Sequence, residues 1–204
     1  MNRITVAILA SLAAIALCQE SARAGAVVGG ATIKGKVVCK GVRDNRDAVV
    51  YIENVDGKFD PPAKPQEMDQ VKMKFVPHVL PVVLGTAVRF LNSDPVLHNI
   101  FTPSQAGDRF NLGTWPKGET KDYTFNKLGQ VRLLCNVHPE MLAWVVVVQN
   151  PYFATTTADG LYSISNVPAG NYSLKVWHER LKPASQSVTV PGSGAVDVSF
   201  TISR

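Results

Sequence analysis

The stretch that decides the fold runs from residue 129 to residue 148 and reads GQVRLLCNVHPEMLAWVVVV. Its two apolar, β-branched ends, 131–134 and 143–148, predict β-strands. Between them lies Cys135-Asn136-Val137-His138-Pro139-Glu140-Met141. A thiol, an imidazole and a thioether are therefore spaced C-x-x-H-x-x-M in a short loop that joins two strand ends.

A second imidazole lies upstream, at His98 in the segment NSDPVLHN, residues 92–99. One thiolate, two imidazoles and one thioether are the ligand set of a mononuclear type 1 (blue) copper site. Soft sulfur ligands favour copper over harder ions, and imidazole accepts Cu(I) and Cu(II). A lone histidine or methionine more often has a structural role. Together, however, His98, Cys135, His138 and Met141 predict a copper site with Met141 as the weak axial ligand.

Residues from about Val71 to Val148 resemble a cupredoxin, closest to the amicyanin and pseudoazurin group and more distantly to plastocyanin. The resemblance rests on KMKFVP at 72–77, GTAVRFLNSD at 85–94, the pair His98-Asn99, and the ligand loop with its flanking strands. It implies a Greek-key β-sandwich that binds one type 1 copper per chain through the four residues named above. It also implies single-electron transfer between redox proteins, such as a c-type cytochrome or a dehydrogenase.

The same resemblance implies roles for residues next to the ligands. Asn99 is expected to hydrogen-bond across to the ligand loop. His138 is expected to turn one ring edge to solvent as the electron port. Partner docking would then centre on the apolar surface around Pro139, Leu142 and Phe101.

The two ends of the chain carry a second β pattern. The segments GKVV at 35–38, AVVYI at 48–52, TTTADGLYSI at 155–164 and VPAGNYSLKV at 167–176 resemble a carboxypeptidase-regulatory-like (transthyretin-like) β-sandwich. These halves are adjacent in that family and separated here. We therefore predict a cupredoxin-like domain at 59–150, inserted into a discontinuous sandwich made of 25–58 and 151–204. Two domains joined in series are the alternative, but a C-terminal domain of about 54 residues would be marginally stable.

The chain is predicted to be all-β, because no segment has a competing helical period. Besides the strands that flank the ligand loop, the pattern predicts strands at 31–39, 48–52, 71–75, 87–91, 121–125, 161–164, 171–177, 185–190 and 195–202. The proline-rich segment 60–65 is expected to be a linker.

Residues 1–24 predict an export signal, with a basic start at Arg3, an apolar run over 4–17 and the cleavage motif Ala22-Arg23-Ala24. The apolar run is too short to span a membrane. The prediction is therefore a periplasmic protein cleaved after Ala24. Lys and Arg outnumber Asp and Glu by 21 to 16, which suits encounter with an acidic protein. No basic stripe with interleaved aromatic residues indicates nucleic-acid binding.

Other interpretations stay open from the sequence. Cys39 and Cys135 are the cysteines left after signal cleavage, so one disulfide is arithmetically possible. Such a bridge would make the chain a metal-free interaction module. The same four ligands would also serve a copper carrier or storage protein. His78 and His178 are expected in structural or surface roles, and no catalytic motif indicates an enzyme.

Overall fold

The computed structural model describes residues 30–103 and 109–204, so the predicted export signal lies outside the described residues. The described residues form seventeen β-strands arranged in four sheets, and none of them is helical. The all-β class is therefore confirmed. Over the same two ranges, no helix has the length and apolar character needed to cross a membrane.

Nine strands from the middle of the chain form two sheets that we call the inner sandwich. They are β3 (Gln66–Gln70), β4 (Phe75–Val76), β5 (Val79–Val83), β6 (Ala87–Leu91), β7 (His98–Thr102), β8 (Phe110–Trp115), β9 (Thr120–Thr124), β10 (Gly129–Leu134) and β11 (Leu142–Val148). One sheet has the order β5-β11-β10-β7-β8 and the other β4-β3-β6-β9. Their side chains share an apolar core in which Phe90, Ile100 and Trp115 are fully buried.

Eight strands from the two ends of the described chain form two further sheets, the outer sandwich. They are β1 (Ala31–Cys39), β2 (Val49–Ile52), β12 (Phe153–Thr155), β13 (Leu161–Val167), β14 (Gly170–His178), β15 (Leu181–Val190), β16 (Ala195–Asp197) and β17 (Phe200–Ile202). β1 pairs antiparallel with β13 and parallel with β16 and β17, while β2 lies between β12 and β14. Strands from both chain ends therefore share both outer sheets. The domain bounds 25–58, 59–150 and 151–204 stay a prediction.

Strand β11 has both faces covered, as its unbroken run of apolar residues predicts. Val145 and Val147 point into the inner core. Val146 and Val148 belong to a separate apolar cluster with residues of the outer sandwich, such as Val49. The outer sandwich therefore packs against the sheet that carries β11.

The two chain segments that connect the sandwiches lie side by side. The side chain of Gln149 accepts a hydrogen bond from Val55 N–H at 3.1 Å and donates one to Val55 O at 2.9 Å. The buried Asn150 amide donates to Ile52 O at 2.9 Å. Two polar side chains thus hold the start and the end of the inner sandwich together.

The predicted strand at 71–75 is wrong over most of its length. Residues 71–74 form a tight turn with reciprocal backbone hydrogen bonds between Val71 and Lys74, and Lys72 and Met73 have φ values of 52° and 56°. This left-handed conformation aims the N–H groups of both residues at Asp94. Tertiary hydrogen bonding thus overrides the local β pattern. Strands β3, β5, β7, β8 and β12 were not predicted.

Candidate metal centre

Three of the four predicted ligands meet at one end of the inner sandwich. His98 opens β7, Cys135 directly follows β10, and His138 lies in the loop between β10 and β11. One donor atom from each lies within 4.8 Å of the others. Among residues 30–103 and 109–204, no other group of three His, Cys, Asp or Glu side chains has this spacing. The Nδ1 atoms of the two histidines are 3.1 Å apart.

Met141 lies at the far end of the same loop. Leu134 and Leu142 are paired residues of β10 and β11, so the loop leaves and re-enters the sheet at directly opposed positions. The Met141 N–H donates to His138 O at 3.0 Å, which closes the last turn of the loop. Met141 and Cys135 are 1% and 3% exposed and both belong to the inner core. Their sulfur atoms are therefore shielded from water, while His138 is half-buried.

Asp94 fixes the orientation of His98, a role that the sequence reasoning missed. Its Oδ2 lies 2.9 Å from His98 Nε2, and His98 is fully buried. A carboxylate at Nε2 holds the proton on that nitrogen, so the Nδ1 lone pair faces His138 and Cys135. The sequence did contain a signal for this role, because Asp94 lies four residues before His98.

The carboxylate of Asp94 is itself held in place by the turn at 71–74. Its two oxygens accept hydrogen bonds from the N–H groups of Lys72 at 2.5 Å and Met73 at 2.8 Å. Burial alone would raise the pKa of the Asp94 carboxyl, but the hydrogen bonds from Met73, His98 and Lys72 outweigh this effect and hold the pKa below its usual range. Asp94 is therefore an ionised, fixed acceptor for His98.

Asn99 joins the ligand loop to the neighbouring strands. Its Oδ1 accepts a hydrogen bond from the N–H of Asn136 at 3.3 Å, across to the loop as expected. Its Nδ2 donates to Asn111 Oδ1 and to Gly113 O, both at 2.8 Å. Asn136, the residue after Cys135, is thus hydrogen-bonded to Asn99 in β7, and Asn99 is in turn hydrogen-bonded to β8.

Cys39 and Cys135 are both free and buried. Cys39 belongs to the core of the outer sandwich and Cys135 to the core of the inner sandwich. The alternative of a Cys39–Cys135 disulfide, which the sequence left open, is therefore wrong. Burial, and secondarily the charge of Asp44, raises the pKa of the Cys39 thiol. Such a thiol is a poor metal ligand.

The two remaining histidines lie outside the ligand cluster. His78 follows β4, and its Nε2 lies 3.1 Å from Glu179 Oε1 of the outer sandwich. His178 ends β14 and is 6% exposed, and its Nδ1 accepts a hydrogen bond from Arg180 N–H at 3.1 Å. Both histidines therefore make contacts within the fold, as expected for structural residues.

Exposed apolar side chains directly precede the two histidines of the cluster along the chain. Val96 and Leu97, just before His98, are 43% and 52% exposed, and Val137, just before His138, is 45% exposed. We call these three residues the apolar rim. Of the residues expected at the docking surface, Pro139 is exposed, whereas Phe101 and Leu142 are partly buried. The sequence reasoning did not name the rim.

Comparisons with known proteins matched the chain in parts. Residues 142–203 match the model of the carboxypeptidase regulatory-like domain. The match starts at the first residue of β11 and does not include β1 or β2. No curated protein matches the chain.

Several solved structures are similar to part of the chain. A purple cupredoxin from Nitrosopumilus maritimus is 24% identical with a TM-score of 0.37, over 40% of this chain and 98% of that one. An oxidized amicyanin mutant is 27% identical with a TM-score of 0.39, over 41% and 81% of the respective chains. A copper-containing nitrite reductase from Thermus scotoductus SA-01 is 25% identical with a TM-score of 0.41, over 55% of this chain and 28% of that one. Part of the chain is therefore similar to solved cupredoxins, and residues 142–203 match the carboxypeptidase regulatory-like domain.

Proposed function

We propose that the chain is a periplasmic type 1 copper protein that carries single electrons between redox proteins. The observation that supports this most is the convergence of His98, Cys135 and His138, whose donor atoms lie within 4.8 Å of one another. One copper ion per chain would be held by His98, Cys135, His138 and Met141. When bound, copper supplies the one-electron couple.

The chain's own residues keep the ligand geometry constant between the two oxidation states. Asp94 holds His98 in one tautomer and one orientation. Asn99 restrains the start of the ligand loop, and the Met141 N–H restrains its end. A dry site with restrained ligands rearranges little when its charge changes, which favours fast electron exchange.

We propose that redox partners dock on the apolar rim around His138. The half-buried ring of His138 is the ligand side chain with the greatest exposure. Val96, Leu97 and Val137 flank the two ligand histidines along the chain and are all more than two-fifths exposed. A c-type cytochrome or a dehydrogenase with its own apolar rim is the expected partner.

Addition of Cu(II) to the purified mature protein tests the copper site. The protein should develop an intense visible thiolate-to-copper band that saturates at one copper per chain. Cys135→Ala should abolish the band, whereas Cys39→Ala, a buried cysteine outside the cluster, should retain it. A Cys135→Ala protein that still turns blue would overturn the assignment.

A second measurement distinguishes an electron carrier from a copper carrier. The buried positions of His98, Cys135 and Met141 favour retention of the metal. Copper should therefore stay bound through repeated cycles of chemical reduction and oxidation in the presence of a Cu(I) chelator. Rapid loss of Cu(I) to the chelator would instead favour a copper carrier or storage protein.

A further inference from the structure

The N-terminal end of the segment 72–78 is linked through hydrogen bonds to His98, one of the predicted ligands. The N–H groups of Lys72 and Met73 donate to the Asp94 carboxylate, and Asp94 lies 2.9 Å from His98 Nε2. Because Lys72 and Met73 both have positive φ values, their N–H groups reach Asp94 only while the turn keeps this conformation. The geometry of the turn and the orientation of His98 are therefore linked through one carboxylate.

The C-terminal end of the same segment contacts the outer sandwich. His78 Nε2 lies 3.1 Å from Glu179 Oε1, and the other oxygen of Glu179 accepts a hydrogen bond from Trp144 Nε1 at 2.9 Å. Glu179 lies in the turn between β14 and β15, and its side chain is only 18% exposed. One carboxylate of the outer sandwich thus binds two residues of the inner sandwich.

Those two residues are also bonded to each other. The backbone N–H of Trp144 donates to His78 O at 2.9 Å. The Trp144 indole contacts that of Trp177 from the outer sandwich, with ring centroids 5.3 Å apart. Glu179, His78 and Trp144 therefore each contact the other two. His78 cannot move without breaking at least one of these contacts.

Between its two ends the segment faces the remaining ligand. A cavity of about 360 Å³ is lined on one side by residues 73–75 and His78, and on the other by Glu140, Met141 and Leu142. A displacement of the segment would change the space next to Met141 as well as the position of Asp94. Both changes would alter the surroundings of residues predicted to hold the metal.

We propose that Glu179 is a positioning residue for the metal centre. It fixes the 72–78 segment at His78 and thereby restrains Asp94, His98 and the surroundings of Met141. The outer sandwich then stabilises the positions of the predicted ligands and is not an independent module. The effect on copper rests on the proposed function, whereas the restraint on the segment applies equally to the metal-free protein.

Residue-resolved hydrogen exchange of the metal-free protein tests the restraint. Glu179→Gln keeps the shape of the side chain and removes its charge. It should accelerate exchange of the Lys72 and Met73 amides roughly tenfold, the factor expected when one charge-assisted hydrogen bond is weakened. Glu53→Gln is the matched control, because Glu53 makes an ion pair with Lys175 at 3.0 Å inside the outer sandwich. The control should leave both amides unchanged.

A double-mutant cycle separates the Glu179–His78 contact from a general loss of stability. His78→Ala should accelerate the same amides, and the His78→Ala/Glu179→Gln double variant should add little to either single change. Fully additive effects, or wild-type exchange at Lys72 and Met73 in Glu179→Gln, would overturn the proposal.

The copper-loaded protein provides the second readout. In Glu179→Gln the visible bands should change in relative intensity and the Cu(II) electron-resonance spectrum should broaden, while Glu53→Gln matches the wild type. Accelerated exchange with an unchanged copper spectrum would overturn the link to the metal centre. If the wild type forms no thiolate-to-copper band but exchange still responds to Glu179→Gln, the restraint is supported and the copper function fails.

Discussion

Replacement of Asp94 by alanine should weaken both the fold and the metal site. The carboxylate accepts hydrogen bonds from Lys72 N–H, Met73 N–H and His98 Nε2. Lys72 and Met73 are exposed, so water can replace their lost partner at small cost. His98 is fully buried, and an unpaired buried N–H costs about 1–3 kcal/mol.

We therefore expect Asp94→Ala to lower the free energy of unfolding of the metal-free protein by about 3 kcal/mol, once a smaller loss at the two amides is added. For a chain of this size that corresponds to a melting temperature roughly 6–12 °C lower. Loss of the group that orients a ligand histidine should also lower Cu(II) affinity by about 10–100-fold. Asp94→Asn, which keeps one acceptor oxygen, should give intermediate values.

Urea unfolding of the metal-free protein and competitive Cu(II) titration measure these two effects. Asp122→Ala is the control, because the Asp122–Arg89 ion pair is exposed on both sides and should contribute little. If Asp94→Ala unfolds and binds Cu(II) as the wild type does, then Asp94 does not orient His98 and the reasoning is refuted.

Three further predictions concern other parts of the molecule. Residues 151–204 expressed alone should not melt cooperatively, because β1 and β2 pair with their strands; a sharp thermal transition of this fragment by circular dichroism would contradict this. Burial lowers the pKa of His178, so protonation favours the unfolded state and the wild type should lose stability as the pH falls through about 6.5. His178→Gln should lose less stability between pH 7.5 and pH 5.5 in urea melts, and equal losses would refute the argument. Leu97→Glu should leave the copper spectrum unchanged but slow reduction by a protein partner in stopped-flow experiments, at a cost of about 1–3 kcal/mol, whereas Leu161→Glu on the outer sandwich should not slow it.

The sequence was sufficient for the features that depend on residue type and local pattern. The apolar run at 143–148 predicted β11, and the C-x-x-H-x-x-M spacing identified the loop in which Cys135 and His138 meet His98. Sulfur and imidazole donors at short spacing are rare enough to be informative without a structure.

Features that depend on long-range hydrogen bonds were missed. The turn at 71–74 contains β-compatible residues, but its left-handed conformation is stabilised by hydrogen bonds to the carboxylate of Asp94, which is distant in sequence. The apolar rim was missed for a similar reason. An exposed valine or leucine has the same sequence signal as a buried one, and only the three-dimensional packing shows which side chains face solvent.

The hydrogen bonds between Gln149 and Val55, 94 positions apart in the chain, affect how the outer sandwich can form. Its N-terminal strands must find partners that are synthesised last, as the contact between Lys36 N–H and Ser199 Oγ, 163 positions apart, illustrates. Closing a flexible loop of that first length costs about 4 kcal/mol of chain entropy. A folded inner sandwich has already brought Val55 and Gln149 together, so the remaining loop is effectively very short. Any substitution that unfolds the inner sandwich therefore imposes this entropy cost on formation of the outer sandwich, even when the substituted residue makes no contact with the outer sandwich.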